Sequence, residues 1–132
     1  MNIQEIIKIK SIKLFSAKVQ DMLDEEKTER HVLFAKDSYD WVIDSKKLLI
    51  TFVREIESEK ASSFCIKVEM KAVFDILNDN EENVKEIMEE GNGINHMLYK
   101  VASEASLIIA QITKSMGIGP LISSPMYQRK DN

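Results

Sequence analysis

The chain has little that would tie it together covalently or carry it through a membrane. One cysteine, Cys65, among 132 residues cannot close an internal disulfide. That excludes a cysteine-stapled secreted scaffold and favours a reducing compartment. No apolar run approaches the ~20 residues of a membrane span. The longest uncharged stretches are 105–113 and 115–128, and the second contains both prolines and two of the four glycines. The opening Met1-Asn2-Ile3-Gln4-Glu5 places an acid before the first base and lacks the apolar centre of a signal peptide. A soluble, cytoplasmic protein without a membrane span is expected. A cationic excess is also missing, with 18 Lys+Arg against 22 Asp+Glu and a net charge of −4. This argues against nucleic acid as a partner, since such binding draws on phosphate neutralisation.

Motifs for chemistry are equally scarce. His31 and His96 have no second His, Cys or Asp at ligand spacing, so no zinc motif exists. His96 falls on the flank of an apolar helical stripe and is expected to be partly buried there. Cys65 lies on the polar side of a strand with Lys67 two residues on, but no nucleophile signature surrounds it, and it reads as an inert thiol. Gly117-Ile118-Gly119-Pro120 follows a helix, and its proline removes an amide donor. It reads as a helix stop, not a phosphate loop. No catalytic residue, metal or cofactor is expected, and no enzymatic activity.

What is present describes one domain, large enough to bury about two-thirds of its unfolded surface. The composition is 44% hydrophobic and 30% charged, without repeats or low-complexity runs. Ile7 and Ile9 alternate with Lys8 and Lys10, after which Ile12 and Leu14 take the opposite parity. A strand from about Ile9 with a bulge near Lys10-Ser11 accounts for the flip, and a helix using Ile3, Ile6 and Ile7 at the very start is the alternative. Residues 21–29 read as an exposed acidic connection and 31–35 as a short strand. The mixture of turn formers and aromatics in 37–45 reads as a loop with a short extended piece. Leu48, Ile50, Phe52 and Ile56 share one parity, with Arg54 the single exception. Phe64, Ile66, Val68, Met70, Ala72, Phe74 and Ile76 form an unbroken period-two face, and 57–62 joins the two runs as a hairpin. A short acidic helix follows, capped by Asp79 or Asn80, with Val84, Ile87 and Met88 inward and Gly91 closing it. A longer helix runs from about Gly93 to Met116 on a stripe of Ile94, Leu98, Val101, Ala105, Ile108 and Ile112, widened by Met97, Ile109 and Met116 and stopped by Gly117. Residues 118–127 should lie extended against the body, and 1–8 and 128–132 should fray. Strands first and helices afterwards indicate an α+β fold, an antiparallel sheet with helices on one face.

Charge and apolar content are unevenly placed. Residues 21–29 carry −4 and 79–90 carry −5, which against −4 for the whole leaves +5 on the rest. Such runs are solvated faces that can also dock a basic partner. The apolar inventory exceeds what one sheet and one helix layer need. Leu49, Val53 and Val73 sit on the sheet's second face, while Phe34, Tyr39, Trp41, Met126 and Tyr127 fall in loops or extended pieces. With seven methionines besides, this surplus points to a homo-oligomer or to partner binding.

Three stretches carry a resemblance. They are the strand Phe64 to Ile76, the helix end Leu107-Ile108-Ile109-Ala110-Gln111-Ile112-Thr113-Lys114-Ser115-Met116-Gly117, and the run Ile118-Gly119-Pro120-Leu121-Ile122-Ser123-Ser124-Pro125-Met126-Tyr127. Together, from about Ile9 to Tyr127, they resemble the SecB export chaperones and their Gram-positive and toxin–antitoxin-associated relatives. The resemblance implies a four-stranded antiparallel sheet with helices on one face, assembling into dimers and tetramers. It implies ATP-independent holding of unfolded, non-native polypeptides. The apolar residues outside the clearest core parity, Phe34, Tyr39, Trp41, Leu49, Val53, Met126 and Tyr127, are then the candidate client contacts. A dedicated adaptor or antitoxin-associated chaperone with one protein partner is the alternative. The exporter branch also implies the translocase motor as a partner. Its second C-terminal helix and tail stand where this sequence has Gln128-Arg129-Lys130-Asp131-Asn132, and its acidic docking surface finds no residue-by-residue match here.

Overall fold

The computed structural model describes residues 3–21, 33–58, 64–91, 94–117 and 120–128. The order is α1 (Ile3–Ile6), β1 (Ile7–Asp21), β2 (Leu33–Asp44), β3 (Lys47–Ser58), β4 (Phe64–Ile76), α2 (Glu81–Glu90) and α3 (Ile94–Ser115). The four strands form one antiparallel sheet in the spatial order β1-β4-β3-β2. The helices cover one face of it, as an α+β reading of the residue pattern requires. The expected acidic connection 21–29 falls, apart from Asp21, outside the described residues, as do His31 and most of the 57–62 hairpin.

The period-two faces of β3 and β4 meet on the helix side. Leu48, Ile50, Phe52, Ile56, Ile66, Val68, Met70 and Phe74 are all nearly inaccessible there, and α3 adds Leu98, Val101, Ala102, Ala105 and Ile109. Burying one such aliphatic or aromatic side chain contributes about 1.5–3 kcal/mol, so this layer dominates the driving force.

Several expectations need correction. The 37–45 segment is not a loop but most of β2, paired residue by residue with β3 from Leu33↔Ser58 to Asp44↔Lys47. The turn itself is confined to Ser45 and Lys46, both at positive φ. Cross-strand pairing with a strongly patterned neighbour overrides local turn preference. The N-terminal segment read as frayed carries α1 and the start of β1. Ile6 is buried, and its carbonyl accepts the Leu77 N–H at 2.8 Å. At the other end Gln128 is also bonded in place. Strand β1 carries the expected irregularity between Ile9 and Ser11 and a second between Leu14 and Ser16.

Both helix stops hold as read. Gly91 and Gly117 take φ of +74° and +82°, a region other residues enter only with strain. Asn80 precedes α2 without a side-chain cap, because its Oδ1 accepts from the Asn83 side-chain amide at 2.8 Å while its Nδ2 donates to the Leu77 carbonyl. His96 is exposed, not half-buried. The apolar stripe of α3 also turns as it runs. Met97 and Val101 are buried near its start and Ile109 and Thr113 near its end, leaving Ile108 and Ile112 half-covered.

Candidate functional site

The candidate contact residues do not form one site, because β2 shows its two parities to opposite faces of the sheet. Tyr39 and Trp41 pair with Phe52 and Ile50 on the helix face, at its open edge. Phe34, Leu49 and Val53 lie on the opposite face. Phe34 is 57% exposed, whereas Leu49 and Val53 are half-buried between neighbouring strands. Met126 and Tyr127 belong to the irregular segment after α3, and this segment is what draws part of the set together. Tyr127 stands edge-on to Tyr39 with ring centroids 5.5 Å apart, within the range of a favourable aromatic pair. Trp41, Val42, Leu49 and Val73 line a shallow cavity of about 290 Å³, and Val53 borders another with Lys36, Ser38 and Glu55.

The seat of the terminal segment rests on a group whose role the sequence concealed. Arg54 occupies a core position of β3, yet its side chain is wholly inaccessible. Its Nε and Nη2 donate to the two carboxylate oxygens of Asp37 across the strand pair, each at 2.8 Å. Nη2 also donates to the Met126 carbonyl, and Nη1 donates to the Ser124 carbonyl and the Ser123 hydroxyl. All five guanidinium donors therefore have acceptors, the condition under which a buried cation is tolerated. Asp37 completes the clasp. Its carboxylate accepts the Gln128 N–H, while its own N–H donates to the Gln128 carbonyl at 2.7 Å. Residues 123–128 are thus tied down on β2. Ser106 donates to the Ser123 carbonyl, and the Leu121 N–H donates to Thr113 Oγ1. The parity exception at Arg54 was the available signal: an arginine aimed at a core needs a carboxylate within it.

A second uncovered region lies along β1 and α3. Leu14, Ile108, Ile112 and Met116 line a groove of about 440 Å³. Leu14 and its neighbour Phe15 are 45% and 62% exposed. Leu107 and Ile122, the latter 79% exposed, continue apolar surface past α3. None of these was singled out as a contact from sequence: Leu14 belongs to the strand alternation and Ile108, Ile112 and Met116 to the helical stripe, Ile122 to the segment expected to lie extended against the body, and no period marks Phe15 or Leu107.

Among the described residues no group of His, Cys, Asp and Glu is placed to hold a metal ion, and no helix is long and apolar enough to cross a membrane. Burial and the nearby carboxylates of Glu57 and Glu55 push the Cys65 thiol up. This disfavours the thiolate that nucleophilic chemistry would need.

No protein-family model matches the sequence, and no curated protein sequence matches it. Solved structures do. The Mycobacterium tuberculosis Rv1957 SecB-like chaperone, in complex with a ChAD peptide from the Rv1956 HigA1 antitoxin, superposes with a TM-score of 0.67. The match covers 92% of this chain and 88% of that one at 10% sequence identity. At that identity the likeness speaks for the fold, and the fold of this chain is SecB-like.

Proposed function

We propose that the protein is a non-enzymatic, ATP-independent chaperone of the cytoplasm that binds non-native polypeptide segments and works as a homo-oligomer. The observation that carries this reading is the amount of apolar surface left uncovered beside two long edge strands. It includes Leu14, Phe15 and Val19 on β1, Phe34 and Val42 on β2, and Leu107 on α3. An unfolded segment can bury such surface while its backbone pairs with an open strand edge. Phe34, Tyr39, Trp41, Leu49, Val53, Met126 and Tyr127 are the proposed client contacts on the β2 side. The groove between β1 and α3 suits a second copy of the chain, in a dimer or tetramer.

A dedicated adaptor with one partner is the second reading. It is favoured by the bound state of the structural neighbour, which holds a peptide from an antitoxin. Coupling to the export motor has no comparable support.

Dilution of a denatured, aggregation-prone client into the protein tests the proposal. Turbidity should fall at near-stoichiometric chaperone without nucleotide, and light scattering should give an oligomeric mass. A monomer that leaves turbidity unchanged refutes it, and protection of one partner only would select the adaptor.

A further inference from the structure

Strand register fixes how charges line up on the sheet face that carries no helices. One row across the sheet reads Asp44, Lys47, Asp75, Lys8, with signs alternating. The next, Val42, Leu49, Val73, Ser11, is uncharged. Thereafter the alternation fails on the β1 side. Lys13 stands directly opposite Lys71, and Lys18 directly opposite Lys67. A third like pair involves Lys10, at the first irregularity of β1. Its ammonium lies close enough to Lys47 to hold that group's pKa below the usual lysine range, against the pull of Asp75. Directly opposed like charges destabilise a sheet, so these lysines are not there to hold the strands together.

Compensation within the fold is partial. Lys67 reaches Glu55 at 3.6 Å, but Glu55 is held more closely by Lys36 at 3.1 Å. Lys71 lies 4.3 Å from the centre of the exposed Phe15 ring, a cation–π contact that leaves its charge in place. Among the described residues Lys8, Lys10, Lys13 and Lys18 make no ion pair. A chain that is acidic as a whole therefore concentrates exposed ammonium groups on β1 and β4, beside an apolar row.

The geometry points to an acidic polypeptide segment as the ligand of this face, with carboxylates between the β1 and β4 lysines and apolar side chains on Phe15 and the Val42–Leu49–Val73 row. This rests on the polypeptide-binding reading above and adds a preference for acidic clients on a surface distinct from the apolar groove. A continuous phosphate backbone fits less well. Glu69 stands between Lys67 and Lys71 along β4, and Asp75 ends the same column. Discrete carboxylates can avoid Glu69 and Asp75, whereas evenly spaced phosphates cannot.

Fluorescence anisotropy with short labelled peptides tests it. One peptide alternates Asp and Glu with Leu and Val, a second carries Lys at the acidic positions, and an oligouridylate is the nucleic-acid arm. The acidic peptide should bind about tenfold more tightly than its lysine counterpart at low salt, with the gap closing at high salt. Lys13→Glu combined with Lys18→Glu should abolish the gap. The same change should raise Tm, since each substitution sets a carboxylate opposite a lysine of β4, whereas a structural role for the lysines predicts a fall. Equal binding of the two peptides, a gap that survives the substitutions, a lowered Tm or tighter binding of the oligouridylate would each overturn the proposal. So would acidic binding that emerges only after Asp24, Glu25 and Glu26 are neutralised, because the face would then belong to the chain's own acidic run. If the double variant still protects an uncharged client while the wild type shows no charge preference, only this inference fails. If no polypeptide of any charge is bound, the chaperone reading fails with it.

Discussion

The Arg54–Asp37 clasp makes the most quantitative claim about how this surface is built. Asp37→Ala removes a carboxylate with no solvent exposure and leaves a buried guanidinium facing only the Ser123 hydroxyl and the Ser124 and Met126 carbonyls. Breaking a buried, hydrogen-bonded pair from one side costs about 3–5 kcal/mol, a large share of the 5–15 kcal/mol typical of a domain. Arg54→Met strands Asp37 in the same way and strips two carbonyls of their donor, so a similar loss is expected. Changing both at once, Asp37→Leu with Arg54→Met, removes both charges together. It should cost less than the two single changes summed, with a coupling of about 2 kcal/mol or more. Urea unfolding at a fixed protomer concentration, followed by the fluorescence of the lone tryptophan, Trp41, measures these values. A shift in midpoint at constant slope reports stability alone. Limited proteolysis should show residues 120–128 exposed in both single variants. Single-variant losses under about 1 kcal/mol, or strict additivity, would refute the claim that the pair is one buried unit seating the terminal segment.

Three further outcomes follow from the same structure. Phe34→Ser, at an exposed site, should change stability by less than about 0.5 kcal/mol yet weaken capture of an unfolded client in the turbidity assay. Thr113→Val leaves the Leu121 N–H without the acceptor it now has at 2.7 Å, and should cost about 1–3 kcal/mol in urea unfolding. The Lys36 hydrogen bond and charge, with Lys67 nearby, hold Glu55 below the usual carboxylate range. A depressed folded-state pKa contributes stability above the unfolded value and loses it as pH falls through the folded one. Glu55→Gln should therefore lower Tm at neutral pH and leave it nearly unchanged in acid, with a gap equivalent to about 0.5 kcal/mol for this partly exposed pair.

The sequence was most legible where one period ran undisturbed. Strand β4 lies at Phe64–Ile76, as its seven alternating apolar residues require, and β3, α2 and α3 stand where their patterns put them. Strand β2 was legible only at its start, where 31–35 read as a short strand, and the rest was hidden for a definite reason. Asp37, Ser38 and Asp40 read as turn chemistry, and the partner that neutralises Asp37 lies on the next strand, 17 residues away. Local propensity carries no trace of such a pairing. On α3 the periodic stripe gave the buried side only on average. The covered face turns along the helix, so Ile109 and Thr113 replace Ile108 and Ile112 near the end, and the displaced pair joins Leu14 in the open groove. The candidate contacts were found as apolar residues without a core assignment. Sequence gave no means of dividing them between two faces, because that division follows from strand register.

The most direct test of the central claim is calorimetric titration of the protein with a reduced, carboxymethylated polypeptide that cannot fold, beside the same polypeptide in its native disulfide-bonded form. Saturable binding of the unfolded form is expected with a negative heat-capacity change, the mark of apolar burial, and no binding of the folded form. Equal binding of both forms, or of neither, would contradict it.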